Sequence, residues 1–168
     1  MYLYYRNASL ETAAAELVLL VAGFQTQLLN LEFVSNELYL CLEDDGLYVY
    51  SAQFKPLNLK HFYSDFIAKR KPAIKREILI QAINLRATAD NLIYGLDTTA
   101  GLGRDAILMS LAGYRITMLE NNPYLAVVLN YLCIEFAVQL PFLEVVYSDN
   151  LTYLHESNKV YNLIYLDP

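Results

Sequence analysis

The 168-residue chain has few of the residues that build metal centres and disulfide frameworks, with two cysteines and two histidines in all. Cys41 and Cys133 fall on segments that read as a strand and a buried helix, at a spacing that fits neither a disulfide scaffold nor a zinc site. Such thiols suit a reducing cytoplasm. His61 and His155 stand alone, so no metal centre is expected. Long hydrophobic runs are also missing. The apolar stretch from Ala13 to Phe24 is short and contains Glu16, and the one from Leu125 to Leu143 is broken by Asn130, Glu135 and Gln139; neither predicts a membrane span. Internal repeats and low-complexity tracts are absent. Positive charge is scarce overall, with 12 Lys and Arg against 18 Asp and Glu for a net charge of −6. That balance ordinarily argues against a nucleic-acid partner. What the chain has in quantity is apolar side chains, 56% of the total, enough for a substantial core and for a sheet covered on both faces.

The most informative local pattern is Asp97-Thr98-Thr99-Ala100-Gly101-Leu102-Gly103-Arg104-Asp105. Leu92 to Leu96 leads into it as a short apolar strand, and Ala106 to Ala112 leads out as a helix closed by Gly113. Gly101 and Gly103 allow a tight turn and close approach of a ligand to backbone N–H groups. Arg115 to Leu119 reads as a second buried strand ending in Glu120, where an acid in a βαβ unit can accept hydrogen bonds from a ribose. A third glycine is missing: the GxGxxG spacing fails at Ala106, and Asp105 in the first helical turn would repel a pyrophosphate. Asp97 and Asp105 instead suit an ammonium group, which points to a methionine-derived methyl donor over a nicotinamide dinucleotide.

Asn122-Pro123 reads as a helix start, followed by an amphipathic helix carrying Leu125, Val128, Leu129, Leu132, Cys133 and Phe136 on its packed face. Phe142 to Tyr147 reads as a third strand. Asp149, after Ser148, either caps the next helix or accepts from an adenine amine, and the two roles are compatible. A fourth strand, Val160 to Leu166, ends in Asp167-Pro168.

Read together, Asp97 to Ala106, Met118-Leu119-Glu120-Asn121-Asn122-Pro123 and Ile164-Tyr165-Leu166-Asp167-Pro168 resemble the small-subunit rRNA methyltransferase J family, whose members transfer methyl from S-adenosylmethionine to the N2 amine of a guanine in 16S rRNA. The resemblance implies an α/β fold, a Rossmann-like class I methyltransferase core, with S-adenosylmethionine as cofactor and 16S rRNA or the small ribosomal subunit as partner. It places cofactor contacts at Arg104, Asp105, Glu120, Asn121, Ser148, Asp149 and Asp167, in addition to the loop residues Asp97, Gly101 and Gly103. Asp167 would also hold the target amine, a task of positioning that needs no metal. As a simple turn, Asp-Pro would have no such role.

Two features of the family pattern are absent. Nothing follows Pro168 where the family continues, so the core is expected to be truncated after its fourth strand, with an exposed edge and with catalysis by this chain alone uncertain. The family's glycine-rich basic stretch is represented by Asp65 to Glu77, which has charge but no glycine. Eight of the twelve basic residues lie between positions 55 and 86 against only Asp65 and Glu77; that window is net +6 and the remainder net −12. Lys69, Arg70, Lys71, Lys75 and Arg76 are accordingly candidate RNA contacts, or else the solvated face of a linker helix from about Ile74 to Leu85.

The sequence is thus read as a small α+β unit over 1–66, a basic helical linker over 67–90 and the cofactor-binding core over 91–168. In the first unit Ser9 is expected to cap a helix running to about Ala22, with Leu10, Ala14, Leu17 and Leu20 or Val21 on one face. Asp44-Asp45-Gly46 between two apolar runs is expected to turn a hairpin, whose tyrosines read as packing residues more readily than as base-stacking ones. A non-catalytic cofactor- or RNA-binding fragment is the alternative reading, and an NAD-dependent oxidoreductase a third.

Overall fold

A computed structural model describes residues 1–29, 37–88 and 90–167. The chain divides into two compact units, Met1–Asp65 and Phe66–Pro168. Among the described residues no helix is long and apolar enough to cross a membrane.

The first unit runs β1 (Tyr2–Tyr5), a 3-10 turn (Ala8–Leu10), α1 (Glu11–Val18), β2 (Gln25–Leu28), β3 (Tyr39–Glu43), β4 (Gly46–Ser51) and β5 (Phe54–Asn58). Its sheet has the order β2-β1-β3-β4-β5, with β1 parallel to β2 and β3 and the remaining pairs antiparallel. The expected hairpin is present: Glu43 faces Gly46 in register, and Asp44-Asp45 make the two-residue turn. Side chains alternate across the sheet. Leu3, Tyr5, Leu40, Leu42 and Leu47 are buried together with Ala14 and Leu17 of α1, while the opposite face carries tyrosines. The helix start differs from expectation. Ser9 lies in the 3-10 turn and donates to the Asn7 side chain, and Leu10 stands at the N-cap with no side-chain cap. The helix ends at Val18 rather than near Ala22, leaving Leu19 exposed, although Val21 is still buried beyond it.

Helix α2 (Leu59–Arg70) carries the boundary between the units. The expected linker helix is interrupted: a 3-10 segment, Lys71–Arg76, stops at Glu77, whose ψ of 131° is extended, before α3 (Ile78–Ile83) begins. Pro72 at the start of the 3-10 segment and the extended Glu77 divide it from its neighbours.

The rest of the second unit alternates strand and helix: β6 (Tyr94–Asp97), α4 (Arg104–Leu111), β7 (Arg115–Glu120), α5 (Pro123–Glu135), β8 (Leu143–Tyr147), α6 (Asn150–Glu156) and β9 (Leu163–Tyr165). All pairings are parallel, in the order β8-β7-β6-β9. Moving outward from β6, the chain builds β7 and β8 on one side and then returns to place β9 on the other. The strand order reverses between β6 and β9, and in open α/β sheets ligands bind in the crevice at the C-terminal ends of such a pair. Asn122 caps α5 through the Tyr124 and Leu125 N–H groups, as the Asn-Pro signal predicts. Burial on α5 is wider than an amphipathic stripe, because Ala126, Val127 and Tyr131 are buried along with Val128, Leu129, Leu132 and Phe136. Strand β9 is shorter than the expected Val160 to Leu166; Val160 is 87% exposed and only Leu163 to Tyr165 join the sheet.

Candidate functional site

The site lies at the switch point and is assembled from the ends of β6, β7 and β9 and the start of α4. Asp97 closes β6 and is 1% exposed. Its carboxylate accepts from the Thr99 N–H at 3.1 Å. Burial pushes Asp97 up to about 6; the Thr99 bond opposes that rise, and the nearby charges of Asp105, Asp167 and Glu120 add to it. Four carboxylates therefore share one electrostatic neighbourhood at the C-terminal edge of the sheet.

Glu120, buried at the end of β7, holds the loop in shape. One of its oxygens accepts from the Gly101 N–H at 3.1 Å and the other from the Asn122 N–H at 2.7 Å. Each carboxylate oxygen can accept a second bond, so the bracing leaves acceptor capacity for a ligand hydroxyl. The two glycines do different jobs. At Gly101 (φ 54°) a Cβ would meet only the Thr99 carbonyl at 3.9 Å, which leaves the backbone approachable. At Gly103 (φ 73°) a Cβ would lie 2.8 Å from Leu129 and 3.1 Å from Leu132. The sequence alone suggests ligand approach at both glycines; at Gly103 the observed constraint is close packing of the loop on α5.

Three residues absent from the sequence-based site tie it together. The Thr98 N–H and hydroxyl both donate to the Tyr165 carbonyl at 3.0 Å, and the Asp167 N–H donates to the Thr99 hydroxyl oxygen at 2.8 Å. The Tyr165 hydroxyl donates to Asp105 at 2.8 Å. These bonds lace the end of β6 to the segment after β9 and fix where Asp167 leaves the sheet. Pro168, its partner in the motif, lies outside the described residues.

At the end of β8 the Ser148 N–H donates to the Glu120 carbonyl at 3.1 Å. Asp149 is exposed and caps α6 by accepting from the Thr152 N–H at 2.9 Å; the Thr152 bonds hold its carboxyl below the usual range. Asn121 is exposed beside Glu120. Arg104 begins α4, and its guanidinium lies 5.0 Å from the centre of the Phe66 ring, over which Arg70 also sits at 5.6 Å. Of the basic candidates, Lys69, Lys71, Lys75 and Arg76 are exposed, while Arg70 pairs with Glu77 at 3.1 Å.

A cavity of about 390 Å³ opens at the other, N-terminal end of the strands, lined by Tyr94, Arg115, Thr117, Phe142, Glu144 and Lys159 among others. Its charges are already matched: Lys159 pairs with Glu144, Thr117 donates to Glu144, and Arg115 lies over Phe142. The acidic crevice is different, because four carboxylates gather there and the most buried of them is held up by burial first and by its neighbours after that. That donor set calls for a cationic ligand carrying hydroxyls, and S-adenosylmethionine, with an ammonium, a sulfonium and a ribose, fits it. A pyrophosphate does not. Among the described residues no group of three or more His, Cys, Asp and Glu side chains is disposed to hold a metal ion.

A family model described as "Putative SAM-dependent methyltransferase" matches residues 25–168. The chain is similar to Ribosomal RNA small subunit methyltransferase J of Francisella tularensis subsp. novicida, with 31% identity over 147 residues, 83% of this chain and 59% of the relative. The corresponding protein of Shewanella loihica is 30% identical over 152 residues, covering 83% of this chain and 58% of the relative. The chain thus spans a little under three fifths of the length of the curated relatives it matches. The crystal structure of a SAM-dependent methyltransferase from Neisseria gonorrhoeae superposes with a TM-score of 0.68 at 18% identity, over all of this chain and 69% of that one, a likeness of fold.

Proposed function

The chain belongs to the SAM-dependent methyltransferase family, and from that premise we propose that its acidic crevice serves methylation of a guanine N2 amine in 16S rRNA. The observation that carries this reading is the convergence of Asp97, Asp105, Glu120 and Asp167 at the switch point of a parallel sheet. S-adenosylmethionine, when bound, supplies an activated methyl on a cationic sulfur. Asp97 and Asp105 would hold the ammonium, and Glu120 would accept from the ribose hydroxyls while Gly101 and Asn122 keep its oxygens in place. Asn121, Ser148 and Asp149 would flank the adenine, with the exposed Asp149 carboxylate accepting from its amine. Arg104, expected among the cofactor contacts, lies over Phe66.

Asp167 would act on the substrate. A carboxylate that accepts from the N–H of an exocyclic amine turns the nitrogen lone pair toward the methyl, and in a direct displacement this positioning is the main contribution the protein can make. The Thr99 bond to the Asp167 N–H sets that orientation from the neighbouring strand. Lys69, Lys71, Lys75 and Arg76, with Arg70 and Arg104 on Phe66, would meet the RNA phosphates. A ribosomal substrate of this kind places the protein in the cytoplasm.

The reading is tested by incubating the chain with S-adenosylmethionine carrying a labelled methyl and small ribosomal subunits that lack the modification. Label in guanine N2, lost in Asp167→Asn, supports it. Cofactor binding without transfer would reduce the proposal to a binding unit, and tight NAD binding in place of S-adenosylmethionine would end it.

A further inference from the structure

The first unit carries a surface that the methylation chemistry does not use. Five tyrosines occupy one face of its sheet in a continuous chain of ring contacts. Tyr2 and Tyr4 are 6.2 Å apart, Tyr4 meets Tyr39 edge-on at 5.6 Å, Tyr39 stacks on Tyr50 at 5.1 Å with planes 6° apart, and Tyr48 lies 5.9 Å from Tyr50. Tyr2 is 43% exposed, and Tyr48 and Tyr50 are half-buried. Acids accept hydrogen bonds from the outer tyrosine hydroxyls: the Tyr50 hydroxyl donates to Glu43 and the Tyr48 hydroxyl to Asp45, the latter at 2.8 Å.

A phenol that donates to a carboxylate shifts electron density into its ring and deepens the negative potential over its face. Such rings attract cations, guanidinium above all, because it is planar and weakly hydrated and can stack. The unit already accommodates one guanidinium here, since Arg6 donates to both Glu43 and the Tyr50 hydroxyl oxygen, at 2.8 and 3.4 Å. Charge then decides the class of partner. Residues 1–65 contain eight acids against Arg6, Lys55 and Lys60, a net charge of −5. Tyrosines can stack on nucleic-acid bases, but a unit of this charge repels the phosphates that come with them and attracts a basic polypeptide.

We propose that the tyrosine face of β1, β3 and β4 is a docking surface for an arginine-rich protein segment. The contact requires neither S-adenosylmethionine nor RNA, so it stands or falls separately from the methylation reading. The test uses the full chain with 13C-labelled tyrosine, titrated at low salt with nona-arginine, nona-lysine and a nine-residue oligouridylate as probes. Ring signals of Tyr48 and Tyr50 are assigned by Tyr→Phe replacement. Nona-arginine should shift both signals and bind at least severalfold tighter than nona-lysine, while oligouridylate leaves them in place. Tyr48→Leu combined with Tyr50→Leu should weaken the peptide by about tenfold, the size of two exposed cation–π contacts. Tyr50→Phe, which keeps the ring and loses the Glu43 bond, is the gentler control for folding and should weaken it by less. Equal or stronger shifts with oligouridylate, equal affinity for the two peptides, or peptide binding that leaves both ring signals unmoved would each overturn the proposal.

Discussion

Asp97 is an acid placed where water cannot reach it, and most of the site's pH behaviour follows from that. Its carboxyl is raised from 3.8 to about 6 by burial first and by neighbouring acids after that. A folded-state value above the unfolded one means that its contribution to stability is fully present below pH 4 and is lost as pH rises through 6. By linkage the loss amounts to about 3 kcal/mol, which a thermal-melt series on Asp97→Asn should recover at pH 7. A cationic ligand reverses the balance by favouring the charged form. S-adenosylmethionine should therefore release a proton from the protein when it binds near pH 6, and its affinity should fall by up to tenfold per pH unit below that. Calorimetry in two buffers of different ionisation enthalpy reads the proton directly; no release would remove Asp97 from the ammonium site. Tyr165→Phe frees Asp105 from its hydroxyl donor and should weaken cofactor binding by about tenfold, the worth of one hydrogen bond to a charged group, with the fold unchanged by circular dichroism. Asp97, Glu120 and Asp167 are visible in the sequence because acids at strand ends are sparse and stand in an ordered pattern, and Asp105 because it follows the glycine loop in the first turn of α4. Thr98, Thr99 and Tyr165 are not, because their roles depend on which strand lies beside β6, and that pairing spans 67 residues or more.

Among the elements, those with local signals are the ones that match expectation. The Asp44-Asp45 turn, the Asn122 cap and the glycine loop each depend on a few adjacent residues, and each is where the sequence places it. Strands β1 and β2 escape the reading because their parallel pairings have no turn to announce them, and β5 because its antiparallel turn at Ala52-Gln53 contains no glycine, asparagine or aspartate. The basic helix fails as a single element because Glu77 is extended, and an acid among helix formers does not reveal that. Gly103 illustrates a signal that is right in residue and incomplete in cause. A Gly103→Ala variant would place a Cβ against Leu129 in a left-handed conformation, and the strain together with overpacking should cost about 2–4 kcal/mol, measured by denaturant unfolding. Asn122→Ala, by contrast, loses only the cap of α5 and should cost about 1 kcal/mol. A smaller effect at Gly103 than at Asn122 would mean that the loop does not pack on α5 as described.

For the whole molecule, charge is segregated along the chain. The net −6 conceals a basic segment, residues 66–86, of net +5 and a first unit, residues 1–65, of net −5, and these oppositely charged segments suit different partners. If the exposed lysines and arginines of the basic window meet phosphates, RNA affinity should fall steeply with salt, and Lys71→Ala with Arg76→Ala should reduce the slope of log affinity against log salt by about two. An unchanged slope would return that segment to a solvated surface. The parallel character of the second sheet is legible from the alternation of strand and helix signals, whereas its order β8-β7-β6-β9 and the division of the tyrosine face from the apolar face in the first unit needed the pairing of the strands. Central to the account is that the acidic crevice binds S-adenosylmethionine through its carboxylates, and isothermal titration of the 168-residue chain measures this most directly. One site per chain is expected, weakened at least tenfold by Glu120→Ala in a protein that still melts cooperatively. Absence of S-adenosylmethionine binding by the folded chain, or affinity unaltered by that substitution, would contradict it.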